Sequence, residues 1–139
     1  AVDLTTRILA SVVGTVLLVI GIAVLIMPEV IATTLLSLST GGAGINSLRA
    51  DIGALFLGMG VFALVGSVTG YRRLLLIPTV FLGFVVTGRL VSMLLDSFTT
   101  STATALGLEI VFIVILSSAV VSDALSGEAR KRRESAAAS

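Results

Sequence analysis

The chain contains no cysteine, no histidine and no tryptophan. Without thiolate or imidazole it can form no disulfide, no thiol redox couple and none of the usual zinc or haem ligand sets. A histidine general base is excluded as well. Charge is scarce too. Asp, Glu, Lys and Arg make up 12% of the 139 residues, where a soluble globular protein carries about 25%.

What is present is apolar: 56% of the residues. A chain of this length forms one domain, and one this poor in charge cannot cover a water-facing surface. Lipid must be part of its solvent. Residues 8–27 carry no charge, matching the roughly 20 residues that cross a bilayer core. Pro28 then stops the helix and Glu29 marks its exit. The run is too long for a signal-peptide core of about 7–15 residues, so it reads as a retained helix. Residues 30–38 mix apolar side chains with Thr and Ser, the pattern of a short interfacial helix. Gly41, Gly42 and Gly44 interrupt regular structure beyond it.

A second span is expected over residues 46–70, closed by the turn Gly70-Tyr71-Arg72-Arg73. Tyr71 suits the headgroup level there. A third covers residues 74–95 and contains Arg89, and a fourth covers residues 103–125 and contains Glu109. Ser126-Gly127 is expected to end it. The fold class is therefore an all-α membrane protein, a four-transmembrane-helix bundle over residues 1–126 with its first span over 6–27. Residues 127–139 are expected as a basic, mobile cytoplasmic tail.

Basic residues set the expected orientation. Arg7 precedes the first span, Arg72 and Arg73 lie between the second and third, and Arg130, Lys131, Arg132 and Arg133 follow the fourth. An even number of spans puts all three places on one side, the cytoplasm by the positive-inside rule. Arg72, Arg73, Arg130, Lys131, Arg132 and Arg133 are thus the expected contacts to lipid headgroups.

The charges inside the spans carry the most information. An ionisable group in hydrocarbon costs about 2.5–3.5 kcal/mol on insertion scales, and it usually has a partner. At about 1.5 Å per residue, Arg89 lies roughly 22 Å from the inner boundary of a core about 30 Å thick. Glu109 lies roughly 9 Å below the outer boundary. Arg49 and Asp51 open the second span from that side, and Asp96 closes the third. On a helical wheel Asn46, Gly53, Gly60 and Ser67 share the Arg49 face, whereas Asp51 points the other way, toward service at the helix N-terminus. Pro78, Val85, Ser92 and Asp96 share the Arg89 face. Asn46, Arg49, Arg89, Asp96 and Glu109 are therefore the candidate polar cluster. It reads either as glue between helices or as a site for an anionic headgroup. A proton path would need polar groups through the whole thickness, and the inner half offers only Ser67, Thr69, Ser117 and Ser118. Gly14 and Gly21, seven apart, mark a packing face on the first helix.

The order Asn46-x-x-Arg49, a glycine-rich apolar helix, Arg89 in Gly-Arg-Leu-Val-Ser, Asp96, then Glu109 before an apolar run resembles a family. It is a bacterial domain-of-unknown-function family of small four-helix inner-membrane proteins. The resemblance covers residues 45–118 and implies special positions at Asn46, Arg49, Arg89 and Glu109. It implies no activity.

Three functions compete. One is a non-catalytic accessory or structural subunit of a membrane complex. Another is a binder or carrier of a lipid or amphipathic anion at outer-leaflet depth. The third, an enzyme, would have Glu109 and Asp96 as its acid and base, with no nucleophile pair, metal cluster or phosphate loop to support it. No cofactor and no metal are expected. The partners expected are the bilayer and a larger membrane complex or further copies of the chain, with no nucleic acid.

Overall fold

The computed structural model describes residues 2–34, 48–95 and 100–137. They are helical almost throughout, and no strand occurs among them. A backbone in lipid must satisfy its own hydrogen bonds, which a continuous helix does. Four helical segments are long and apolar enough to cross a membrane: Leu4–Ile26, Leu48–Thr69, Arg72–Val91 and Ala103–Ala137.

The first helix, α1, spans Val2–Ile26. Met27 alone separates it from α2, Pro28–Thr34. The Met27 amide still donates to the Ala23 carbonyl at 2.8 Å, and Ile31 donates back to Met27 at 3.2 Å. Proline suits the first position of α2, where an amide hydrogen would have no helical partner. Ala32 of α2 is buried with Val24 and Leu48, a small cluster that folds α2 against the end of α1.

The second span begins with a π-helical turn, Leu48–Gly53, that runs directly into α3, Ala54–Thr69. Gly70 ends α3 in the left-handed conformation, φ 76°, which glycine adopts without a Cβ penalty. A 3-10 turn, Arg72–Leu75, leads into α4, Leu76–Leu95. Pro78 lies in the first turn of α4, where its missing amide hydrogen removes no helical bond.

The last helix, α5, spans Thr100–Ala137. It does not stop at Ser126-Gly127 as the sequence reading expects. A glycine inside a helix costs about 1 kcal/mol. Here Glu128, Ala129, Arg130, Lys131, Arg132 and Arg133 follow it, nearly all strong helix formers. Glu128 and Arg132 also stand four apart, a spacing that stabilises a helix.

The spans pack as a ring, α1 on α3, α3 on α4, α4 on α5 and α5 on α1, with the α1–α3 seam the most extensive. Glycines explain that seam. A Cβ on Gly21 would lie 2.5 Å from the Leu57 amide nitrogen, one on Gly60 2.5 Å from that of Leu18, and one on Gly14 2.9 Å from that of Leu64. Backbone meets backbone at all three places, which only small residues permit. The main core lies beside this seam, with Leu17, Met59, Leu75, Leu82 and Leu116 fully or nearly fully buried.

Candidate functional site

Arg89 and Glu109 meet. Arg89 Nε donates to both carboxylate oxygens of Glu109, at 2.7 Å to Oε1 and 2.9 Å to Oε2. The pair joins α4 to α5. Its members differ in depth: the Arg89 side chain is 29% exposed and that of Glu109 10%. A carboxylate this enclosed needs a cation or several donors beside it, and the guanidinium provides the cation.

Arg49 lies elsewhere. It sits on the π-helical turn and is exposed, as is Asp51. The stripe expected on its face does exist over Gly53, Gly60 and Ser67, but it packs on α1. Gly53 faces Leu25 and Val24, Gly60 faces Leu18, and Ser67 meets Ser11. The direction of that stripe accounts for the separation: it turns toward α1, so the face it shares with Arg49 is not the one that meets the α4–α5 pair. Asn46 and Asp96 lie outside the described residues.

The other end of the bundle holds contacts that the sequence reading missed. Arg7 of α1 donates from Nε to the Ser67 carbonyl at 3.0 Å and from Nη2 to the Val68 carbonyl at 2.7 Å. These carbonyls belong to the last turn of α3, which lacks helical partners. A cation at a helix C-terminus is favourable by about 0.3–1 kcal/mol. One turn along α1, Ser11 Oγ donates to Ser67 Oγ at 2.9 Å, and Ser67 Oγ donates to the Leu64 carbonyl at 3.0 Å. By its place in the sequence Arg7 is only a topology marker. The signal available was its register: Arg7 and Ser11 are four apart, as are residues meeting one neighbour.

Arg72 and Arg73 separate in the same way. Arg72 is only 5% exposed. It donates from Nη1 to the Ala119 carbonyl at 3.0 Å and to Ser122 Oγ at 2.7 Å. It is therefore a strut from the α3–α4 turn into α5, while Arg73 is exposed and remains open to headgroups. The 3-10 turn sets the difference by aiming neighbouring side chains in different directions. Arg132 and Arg133 are exposed on the extension of α5. The side chains of Arg130 and Lys131 lie outside the described residues.

Among the described residues, no buried side-chain nitrogen or oxygen lacks a hydrogen-bond partner. No cluster of three or more metal-capable carboxylates occurs among them either. Grooves open at the Arg7 and Arg72 end. One, of about 550 Å³, runs along α1 from Leu4 to Val16 and meets α3 at Ser67 and Val68. Another, of about 400 Å³, lies between the α3–α4 turn and α5, beside Arg73 and Glu128.

The fold and these contacts define a helical, multi-pass membrane protein whose spans are tied by interhelical polar contacts. Compared with family models, curated proteins and solved structures, the chain finds no match.

Proposed function

We propose that the chain is a non-catalytic accessory or structural subunit of a complex in a bacterial cytoplasmic membrane, with both termini in the cytoplasm. It would belong with the small four-helix proteins that it resembles. The observation that carries this reading is the complete internal pairing of buried polar side-chain atoms among the described residues. Arg7, Ser11, Ser67, Arg72, Arg89 and Glu109 tie one helix to the next. The extension of α5 supports the same reading. It carries exposed Arg132, Arg133, Glu128 and Glu134 beyond the apolar spans, a charged post suited to a partner's soluble face.

The test is gentle extraction from the native membrane followed by native mass spectrometry. A stoichiometric partner protein is expected, and removal of residues 127–139 should weaken its retention while the bundle still folds. Recovery of the bare chain under conditions that preserve other membrane complexes would overturn the reading.

One observation favours a second reading, a binder of an anionic amphipathic molecule at the α4–α5 pair. Both bonds to Glu109 come from Nε, and 29% of the Arg89 side chain is exposed. The Nη1–Nη2 edge of the guanidinium makes neither of these bonds, and such an edge can meet a phosphate or carboxylate in a two-bond fork. Arg89→Lys keeps the charge and removes the fork. A retained ligand lost in that variant, with helix content unchanged, would support the binder.

A further inference from the structure

The groove along α1 meets Ser67 and Val68 of α3 at its Arg7 end and is mostly apolar beyond it. Its polar row on α1 is Arg7, Ser11 and Thr15. The two hydroxyls already donate within the protein, Ser11 to Ser67 Oγ and Thr15 Oγ1 to the Ser11 carbonyl at 2.9 Å. Below Arg7 these side chains therefore present no free hydroxyl hydrogen to the groove. The neighbouring row is Leu4, Ile8, Val12 and Val16, all exposed and all apolar. Arg7 differs from both rows. Its bonds go to carbonyls, which hold the guanidinium in place and carry no full charge of their own to set against it.

Length decides what fits. From Leu4 to Val16 the groove follows α1 for about 18 Å at 1.5 Å per residue. One leaflet of hydrocarbon is about 15 Å, half of a core about 30 Å thick. The groove thus runs from headgroup level to about the bilayer midplane and ends there. A partner helix would need a seat through the whole thickness, whereas an acyl chain needs one leaflet. A headgroup anion at the top meets Arg7, with the exposed Arg73 at the same end of the bundle.

The geometry points to a binding site for one anionic phospholipid of the Arg7-side leaflet, its phosphate against Arg7 and one acyl chain along Ile8, Val12 and Val16. The site goes beyond the subunit reading and needs only that the chain spans a bilayer.

The experiment uses the purified full chain in mixed micelles containing phosphatidylglycerol or phosphatidylcholine, with adducts counted by native mass spectrometry. Wild type should retain one phosphatidylglycerol in preference to phosphatidylcholine. Val12→Trp fills the groove without touching the bonds of Arg7, and should lose the adduct with helix content and melting unchanged. Arg7→Gln should lower occupancy about fivefold, the equivalent of about 1 kcal/mol per basic residue at an anionic surface. Equal retention by wild type and Val12→Trp would overturn the site, as would equal retention of the two lipids. A dimer of the wild-type chain that Val12→Trp dissociates would overturn it too, by placing a second copy in the groove.

Discussion

At the scale of single residues, the pairing of Arg89 with Glu109 sets two magnitudes against each other. Removing one partner of a buried ion pair in a soluble protein costs about 3–5 kcal/mol, because the other charge stays buried alone. Interhelical hydrogen bonds in membrane proteins average only about 0.6 kcal/mol, because the unfolded chain in the membrane also finds partners. The unequal depth of the pair decides between them. Arg89→Leu strands an enclosed carboxylate, and should destabilise by about 2 kcal/mol. Glu109→Leu leaves a 29% exposed guanidinium on a long stem that can swing toward the interface, and should cost less than about 1 kcal/mol. The double variant should recover most of the loss. Unfolding in detergent by increasing denaturing surfactant measures the cycle, and equal losses in the two single variants would contradict the depth argument. The sequence made this pair legible through charge and depth alone, since two ionisable groups at one level of hydrocarbon must find each other or water. It left Arg49 misplaced and could not separate Arg72 from Arg73, because neighbouring identical residues differ only in the direction their backbone gives them.

At the scale of elements, the glycines divide into two kinds that no composition reveals. Gly14, Gly21 and Gly60 stand where a Cβ would meet backbone at 2.5–2.9 Å, while Gly58, Gly83 and Gly107 have no such neighbour within 4 Å. Backbone atoms cannot rotate aside as a side chain can. Gly60→Ala should therefore push α1 from α3 and destabilise by about 1–3 kcal/mol, as overpacking does. Gly83→Ala and Gly107→Ala should change stability in the opposite direction, by up to about 1 kcal/mol, through helix propensity. The same surfactant titration reads both, and a loss in all three would show that propensity in lipid does not distinguish these sites. The spacing of seven between Gly14 and Gly21 made the α1 face readable beforehand. The π turn at Leu48–Gly53 was not readable, because one widened turn leaves no mark on hydrophobic periodicity. Arg49 was misplaced because a wheel shows which residues share a face and not which neighbour that face meets, and the Gly53, Gly60 and Ser67 face meets α1.

At the scale of the whole molecule, interhelical bonds fix which chain segments share an end. Arg7 near the start of α1 bonds to the last turn of α3, and Arg72 after α3 bonds to Ala119 and Ser122 of α5. The start of α1, the α3–α4 turn and the late part of α5 therefore lie together, whichever side of a membrane they face. α5 has 38 residues, about 57 Å at 1.5 Å per residue, nearly twice a hydrocarbon core of about 30 Å. Its excess emerges on that shared end, since the residues after Ser122 lie past the level of Arg72. The shared end is also the basic one, so the positive-inside rule predicts that it faces the cytoplasm. The absence of cysteine makes this directly testable with single introduced thiols and a membrane-impermeant maleimide. Tyr71→Cys and Ser135→Cys, both exposed in the structure, should label in inside-out vesicles and stay protected in intact cells. Thr33→Cys on α2 and Thr100→Cys at the start of α5, also exposed, should show the reverse. The reverse result at all four positions would keep the bundle and invert it, leaving the charged end of α5 outside the cytoplasm. Labelling of Tyr71→Cys and Ser135→Cys from opposite sides would contradict the fold itself, because it would require an odd number of crossings between two segments that Arg72 holds together.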